Sequence, residues 1–333
     1  MRAMQLQKYS NISKDPLEFA DVEEPVPDDN EILVKVSACG VCRTDLHIIE
    51  GELPEKRLPI TPGHEVIGKV REVGSKVRGL RVGDRVGVTW VNSTCGICEF
   101  CISGRENLCK DIRCTGYDVN GGYAEYLTVS AKSAFRIPKG FGDVNAAPLM
   151  CAGVIGFHAL KLSGLKPGDS LSLFGFGGSG HIIAQIAKYW RCDTFVFTRG
   201  ESHRRIAESI GVSWTGGLDE EPEEAKADAA IITAPDGNLV INALHSVKRG
   251  GKVIIADIFM SDIPLISYYR DLYLEKSVGS ATNYTREDVK ELLGLASKIP
   301  IKTMVERYPL QDANEALANL KERKVNGAAV LVI

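Results

Sequence analysis

Between Ala38 and His47 the chain reads A-C-G-V-C-R-T-D-L-H, which puts two thiols, a guanidinium, a hydroxyl, a carboxylate and an imidazole into one short stretch. Such a density of chemical types suits a meeting point of a metal ion and a charged ligand. Cys39 and Cys42 form a C-x-x-C, which by itself fits half a zinc site, a redox pair or coincidence. The flanking residues lack the βαβ pattern of a thioredoxin-like redox pair. A histidine, His64, follows in Leu58-Pro-Ile-Thr-Pro-Gly-His-Glu65, where a loop histidine with its own hydrogen bonds is the plainer local reading. Cys151 opens an apolar run, Ala146 to Leu160, that predicts a helix, where a small buried thiol is the plainer local reading.

A denser signal is Cys95-x2-Cys98-x2-Cys101-x7-Cys109. Four thiolates at this spacing close a tetrahedral shell around Zn²⁺ and leave no position for a substrate, so the site is structural. The competing readings are disulfides or inert buried thiols. The metal reading also suits a lobe with few apolar residues of its own.

The elements that must position these groups fall into two styles. Up to about residue 150 the chain shows short strand-like runs, Glu31–Val36, Val66–Gly74, Val82–Val88 and Gly121–Val129, broken by glycine and proline. They predict a small antiparallel β-barrel with ligands on its loops. After Lys166-Pro-Gly-Asp169 the style changes. Ser170–Phe174 predicts a strand, Gly175-Phe-Gly-Gly-Ser-Gly180 follows at once, and a helix is expected from Ile182 to Arg191. This is G-x-G-x-x-G in the strand–turn–helix setting that gives it meaning. Gly175 permits the turn, Gly177 lets a pyrophosphate approach, Gly180 lets the helix lie close, and the loop through Gly178 and Ser179 offers N–H groups to phosphate. Further strands are expected at Thr194–Thr198, Ala229–Thr233 and Lys252–Ala256. A helix (Arg286–Lys298), the segment Val305–Leu310, a second helix and a final strand, Ala328–Ile333, then return to the barrel.

Composition sets the bounds. The 333 residues exceed what one small core organises, so two domains are expected. With 44% hydrophobic and 25% charged residues the chain is an ordinary globular one, and a net charge of −3 gives no reason to expect nucleic acid or an anionic membrane as partner. The N-terminal residues lack a signal-peptide core, and no apolar run approaches the roughly 20 residues that span a bilayer. Nine cysteines, crowded rather than evenly spread, favour metal over disulfides in such a chain. A soluble, cytoplasmic protein is expected.

With these parts in order, the chain resembles the zinc-containing alcohol dehydrogenases of the medium-chain dehydrogenase/reductase superfamily. The resemblance spans essentially the whole length and rests on Gly40-Val-Cys-Arg-Thr-Asp-Leu-His47, Gly63-His-Glu65, the four-cysteine lobe, Cys151-Ala-Gly153 and Gly175–Gly180. It implies an α/β protein with a GroES-like β-barrel catalytic domain (1–152 and 284–333) and a Rossmann doubly wound parallel sheet binding the cofactor (153–283). It implies two zinc ions per chain. Cys42, His64 and Cys151 hold the catalytic one and leave an open coordination position, Cys95, Cys98, Cys101 and Cys109 hold the structural one, and Cys39 takes no metal role. Glu65 approaches the catalytic metal transiently, and Asp45 orients the ring of His64. Zinc lowers the pKa of a bound alcohol, Thr44 takes its proton, and His47 receives it by way of the nicotinamide ribose and exchanges it with water. Arg43 pairs with the cofactor pyrophosphate.

The cofactor strand departs from the NAD pattern. Phe195-Val-Phe-Thr-Arg-Gly200 carries Thr198 and Arg199 where an acidic residue would bind both ribose hydroxyls. A 2′-phosphate suits this pair, with His203 and Arg204 nearby, so NADP(H) is expected over NAD(H). Asn326-Gly-Ala328 lacks the arginine that relatives often place after Asn-Gly. Trp90, Leu53, Tyr117 and Ile258 are candidate pocket walls for a small-molecule alcohol, aldehyde or ketone. Relatives form homodimers or homotetramers, and Val253–Ile266 is the candidate pairing edge. The alternatives are a zinc-containing enoyl- or quinone-type reductase, whose relatives usually lack the full Cys42/His64/Cys151 set, and a non-catalytic NADPH-binding redox sensor, which needs neither Thr44 nor His47.

Overall fold

A computed structural model of the chain describes every residue except 219, 221, 223–225 and 300. Two compact units emerge, Met1–Cys151 together with Thr285–Ile333, and Ala152–Tyr284.

The first unit is built on a seven-stranded sheet in the order Val305–Pro309, Ala328–Val332, Glu31–Val41, Glu65–Val73, Arg85–Val88, Ala134–Arg136, with Tyr126–Ser130 also pairing with Glu31–Val41. Neighbours run antiparallel except the first two, which are parallel. Glu31–Val41 is the spine. It continues five residues beyond the Val36 read from sequence, because Ala38–Gly40 are paired on both sides, to Glu65–Ile67 and to Val330–Val332, and Val41 pairs with Ala329. Its buried residues Ile32, Val34 and Val36 pack with Met4, Leu6, Leu127, Val129 and Leu331 in one apolar core. The register Gly40↔Glu65 sets the end of this strand beside the start of the next. Cys42 follows the first and His64 precedes the second, so strand pairing alone brings both to one end of the sheet.

The second unit carries a six-stranded, all-parallel sheet in the order Trp214–Gly216, Asp193–Phe197, Ser170–Phe174, Ala227–Ile232, Val247–Ile255, Ser277–Ser280. The order reverses between Ser170–Phe174 and Ala227–Ile232, the switch point at which doubly wound sheets bind ligands. Strands buried on both faces are mostly apolar, as in Leu171, Leu173 and Phe174 around the buried Ser172, and Phe174 stacks on Phe197 at 4.3 Å between centroids.

Three expectations need correction. The helix after the glycine loop begins at Gly178 rather than Ile182, because the loop's last glycine already lies within its first turn. Cys151 is not in the first turn of a helix: it sits at φ −135°, ψ −69° between a 3₁₀ turn, Ala147–Met150, and the helix Ala152–Ser163. The pairing edge is not Val253–Ile266. Val247–Ile255 is an interior strand, residues 256–266 form no strand, and Ser277–Ser280 is the edge. Val253 to Ile255 are apolar because they are covered on both faces, which sequence cannot tell from an apolar edge. No single helix among the described residues is long and apolar enough to cross a membrane.

Candidate metal centre and active site

Cys42 Sγ, a ring nitrogen of His64, a Glu65 carboxylate oxygen and Cys151 Sγ all lie within 4.8 Å of one another. Cys42 stands at the N-cap of the short helix Arg43–Ile49, at the point where the spine strand ends. Gly40 makes room for the carboxylate, since a Cβ there would lie 1.9 Å from Glu65 Oε2. The two thiols of the C-x-x-C are in opposite states. Burial, reinforced by Asp45 and Glu65, pushes the Cys39 thiol well above its usual value, and its strand packs it in the core. The Cys42 thiol is drawn well below its usual value by the Cys151 thiol and then by His64, against the effect of burial. Cys151 is pushed up by the Cys42 thiol and by burial.

His64 is fully buried. Its Nδ1 lies 3.1 Å from Asp45 Oδ1, while Nε2 is buried and makes no hydrogen bond. Burial disfavours charge on this ring, yet the Asp45 carboxylate and Cys42 outweigh it and hold the imidazole well above its usual value. Asp45 is itself fully buried and accepts from the Cys42 N–H (2.9 Å) and the Tyr123 hydroxyl (3.0 Å) on Oδ2. One carboxylate therefore fixes both the Cys42 backbone and the His64 ring. A buried nitrogen with nothing to bond, facing thiols and a carboxylate, is what a tetrahedral metal ion with two thiolates and an imidazole requires.

Thr44 is buried one residue into the helix, and the Cys42 thiol reaches its hydroxyl at 3.6 Å. His47 is buried on the same helix and its Nδ1 is held by the Glu52 carboxylate. Because a carboxylate only accepts, Nδ1 carries the proton and Nε2 is the acceptor of the neutral ring. Arg43 is half-buried and has no ion pair with a described residue. Trp90 meets the His64 ring edge-on at 5.0 Å and stacks on Tyr117 at 5.8 Å and 18°. Leu53 is half-buried and Ile258, in the other unit, is 47% exposed.

Cys95, Cys98, Cys101 and Cys109 form the second cluster, again within 4.8 Å. The sulfurs of Cys95 and Cys109 are 3.5 Å apart and those of Cys95 and Cys101 3.9 Å. These separations are too long for disulfides and bracket the about 3.8 Å edge of a Zn–thiolate tetrahedron. Backbone N–H groups of Ile97 and Cys98 draw the Cys95 thiol down to about 6, whereas burial raises Cys109. The lobe is tied to the helix Arg286–Ala296 by Glu106, which accepts from the Arg286 N–H at 2.8 Å, and by the Arg286 guanidinium on Thr94 at 3.1 Å.

In the second unit Gly175 has φ +93°, and its carbonyl accepts from the Thr233 hydroxyl across the switch point at 3.2 Å. A Cβ at Gly180 would lie 2.7 Å from the Gly175 carbonyl oxygen, whereas one at Gly177 would meet nothing within 4 Å, so the loop is open above Gly177. The helix starting at Gly178 leaves the N–H groups of Gly178, Ser179 and Gly180 outside the intrahelical ladder, whose first bond runs from the His181 N–H to the Gly177 carbonyl. This cradle fits a pyrophosphate. Thr198 is buried just after the strand Asp193–Phe197, Arg199 beside it is exposed, and His203 is half-buried on the next helix. Arg204 is less available than expected. Its Nε donates to the Thr198 carbonyl at 3.3 Å, and Glu220 lies 3.8 Å from its guanidinium.

Sequence reasoning missed Tyr123 and Glu52. Tyr123 follows two glycines and Glu52 follows Gly51, and neither belongs to a motif; only the fold brings them to Asp45 and His47.

Residues 28–139 match the family described as the alcohol dehydrogenase GroES-like domain. Over 338 residues, covering 100% of this chain and 97% of the relative, the chain is 43% identical to a probable alcohol dehydrogenase, AdhA, of Mycobacterium tuberculosis (strain CDC 1551 / Oshkosh). It is 38% identical over 329 residues to an alcohol dehydrogenase of Geobacillus stearothermophilus, covering 96% of the chain and 97% of the relative. Among solved structures, a cobalt- and zinc-bound thermostable alcohol dehydrogenase from Pyrobaculum aerophilum superposes with a TM-score of 0.91 at 26% identity, covering 100% of this chain and 99% of that one.

Proposed function

Because the chain belongs to the alcohol dehydrogenases of the medium-chain dehydrogenase/reductase superfamily, we propose that it is a zinc-dependent enzyme moving hydride between a primary or secondary alcohol and NADP(H). The observation that carries the reading is the converging Cys42, His64, Glu65, Cys151 set, two half-buried thiols and a buried imidazole with a buried carboxylate in reserve. Zinc at this position supplies a Lewis acid for the alcohol or carbonyl oxygen, and the nicotinamide supplies the hydride partner.

The chain's own residues do the rest. Asp45 keeps Nε2 of His64 aimed at the metal by holding Nδ1. The Thr44 hydroxyl takes the substrate's proton. His47, with Nδ1 fixed by Glu52, presents Nε2 as acceptor in the same relay, and the 42%-exposed Glu52 side chain borders water. Arg43, without an ion-pair partner among the described residues, is assigned to the cofactor pyrophosphate, as are the N–H groups after Gly177. The four-thiolate lobe holds a structural zinc. Thr198 and Arg199, with no acid beside them, support NADP(H) over NAD(H). The edge strand Ser277–Ser280, with Leu265, Tyr268 and Tyr269 exposed in the segment before it in the chain, supports a homo-oligomer.

The test is an assay of primary, secondary and aromatic alcohols with both cofactors, on wild type and Arg199→Ala. Alcohol-dependent NADPH formation is expected, with kcat/KM for NADP⁺ falling about tenfold in the variant and that for NAD⁺ barely changing. Equal losses for both cofactors would overturn the 2′-phosphate assignment, and no alcohol oxidation with either would overturn the reading itself.

A further inference from the structure

Trp90 and Tyr117 form a stacked pair whose Trp90 end rests on the ring of His64. What keeps Tyr117 there is the segment Glu52–Arg57, joined to the Tyr117 loop by several contacts at once. The Tyr117 hydroxyl donates to the Pro54 carbonyl at 2.5 Å. Lys56 Nζ lies 2.9 Å from Asp118 Oδ1 and 4.9 Å from the centre of the Tyr117 ring. Asp118 is set by accepting from the Cys114 N–H at 2.8 Å. The Lys56 backbone is fixed as well, since its N–H donates to the Tyr9 hydroxyl (2.8 Å), which donates back to the Lys56 carbonyl (3.1 Å). A single exposed ion pair would count for little. Here an ion pair, a cation–π contact and hydrogen bonds from both sides converge on one lysine, and groups in one network support one another.

We infer that Lys56 is a specificity-determining positioning residue: it latches Tyr117 onto Trp90, so that a substrate beside His64 meets a fixed, flat aromatic wall. Resting on the alcohol dehydrogenase reading, this names the preferred substrates as planar primary alcohols and aldehydes, with an aryl or allylic group on the reacting carbon. A planar group stacks on a flat wall at no cost in rearrangement. A branched carbinol needs the wall to yield, and a ring held at its hydroxyl, its face and its loop does not yield. Lys56 itself touches no reacting atom, so its loss changes which substrate fits rather than the chemistry.

The experiment compares wild type, Lys56→Met, Lys56→Arg and Asp118→Asn by two measurements. The first is kcat and KM for benzyl alcohol against 1-phenylethanol. The second is the fluorine NMR line of Tyr117, in protein labelled with 3-fluorotyrosine and free of cofactor, assigned with Tyr117→Phe. Lys56→Met is expected to raise KM for benzyl alcohol about fivefold, the equivalent of about 1 kcal/mol, with kcat nearly unchanged. The preference for benzyl alcohol over 1-phenylethanol then falls by about the same factor, and the Tyr117 line narrows. Asp118→Asn gives a weaker version of both effects, and Lys56→Arg restores both towards wild type. An unchanged substrate ratio in Lys56→Met overturns the inference, as does a Tyr117 line that does not respond. If wild type oxidises no alcohol at all, the underlying reading fails instead, and the fluorine line alone decides whether the latch exists.

Discussion

The two cysteine-bearing clusters of the first unit use the same element in different ways. The donors of one, Cys42, His64, Glu65 and Cys151, come from three distant segments, and their two thiols drive each other in opposite directions, with His64 helping to draw Cys42 down and burial helping to push Cys151 up. The other draws all four donors from the one stretch Cys95–Cys109, only Cys109 of them is buried, and backbone N–H groups act directly on its sulfurs. The first cluster exists because the sheet register Gly40↔Glu65 exists. In the proposed reading the dependence runs the other way in the lobe, whose Ile97 and Ile102 are exposed and whose loop a metal would hold. Damage to the first should therefore remove function and spare the fold, and damage to the second should do the reverse.

The largest effect expected from this contrast is in the lobe. Cys101→Ser should lower the melting temperature by about 10 °C, followed by calorimetry, and reduce zinc content to one ion per chain. An unchanged melting temperature would mean that the lobe folds without its metal. Next comes Asp45→Asn, which keeps shape but removes the charge that holds His64 and the Cys42 N–H. Zinc affinity at the open site, measured by competition with a chelator, should fall about 10- to 100-fold while the lobe keeps its ion. A loss from the lobe instead would break the proposed independence of the clusters. The smallest is Tyr123→Phe, which removes one hydrogen bond from Asp45; the same competition should register a change of about fivefold.

How much of this was legible in the sequence depended on how local each signal is. The four-cysteine spacing lies in one stretch, so the convergence of its four thiols could be read directly. The strand Ser170–Phe174 and the loop Gly175–Gly180 were equally plain, because turn, phosphate approach and helix packing each need glycine at a fixed offset. Within Cys39-x-x-Cys42 spacing could not separate the thiols; only the register that buries Cys39 and leaves Cys42 at a strand end does so. The apolar run Val253–Ile255 misled because an interior parallel strand and a sticky edge have the same composition. Tyr123, Glu52 and Lys56 had no signal, since each acts through a partner far away in the chain or across a turn.

The central claim is that the mixed-donor cluster Cys42, His64, Glu65, Cys151 holds the zinc that does the chemistry. It is tested most directly by measuring bound zinc and alcohol-dependent NADPH formation side by side in Cys42→Ser. The account predicts one zinc per chain in place of two, an unchanged melting temperature, and activity reduced by at least about a thousandfold. Full activity with a single remaining zinc, or two zinc ions still bound, would contradict it.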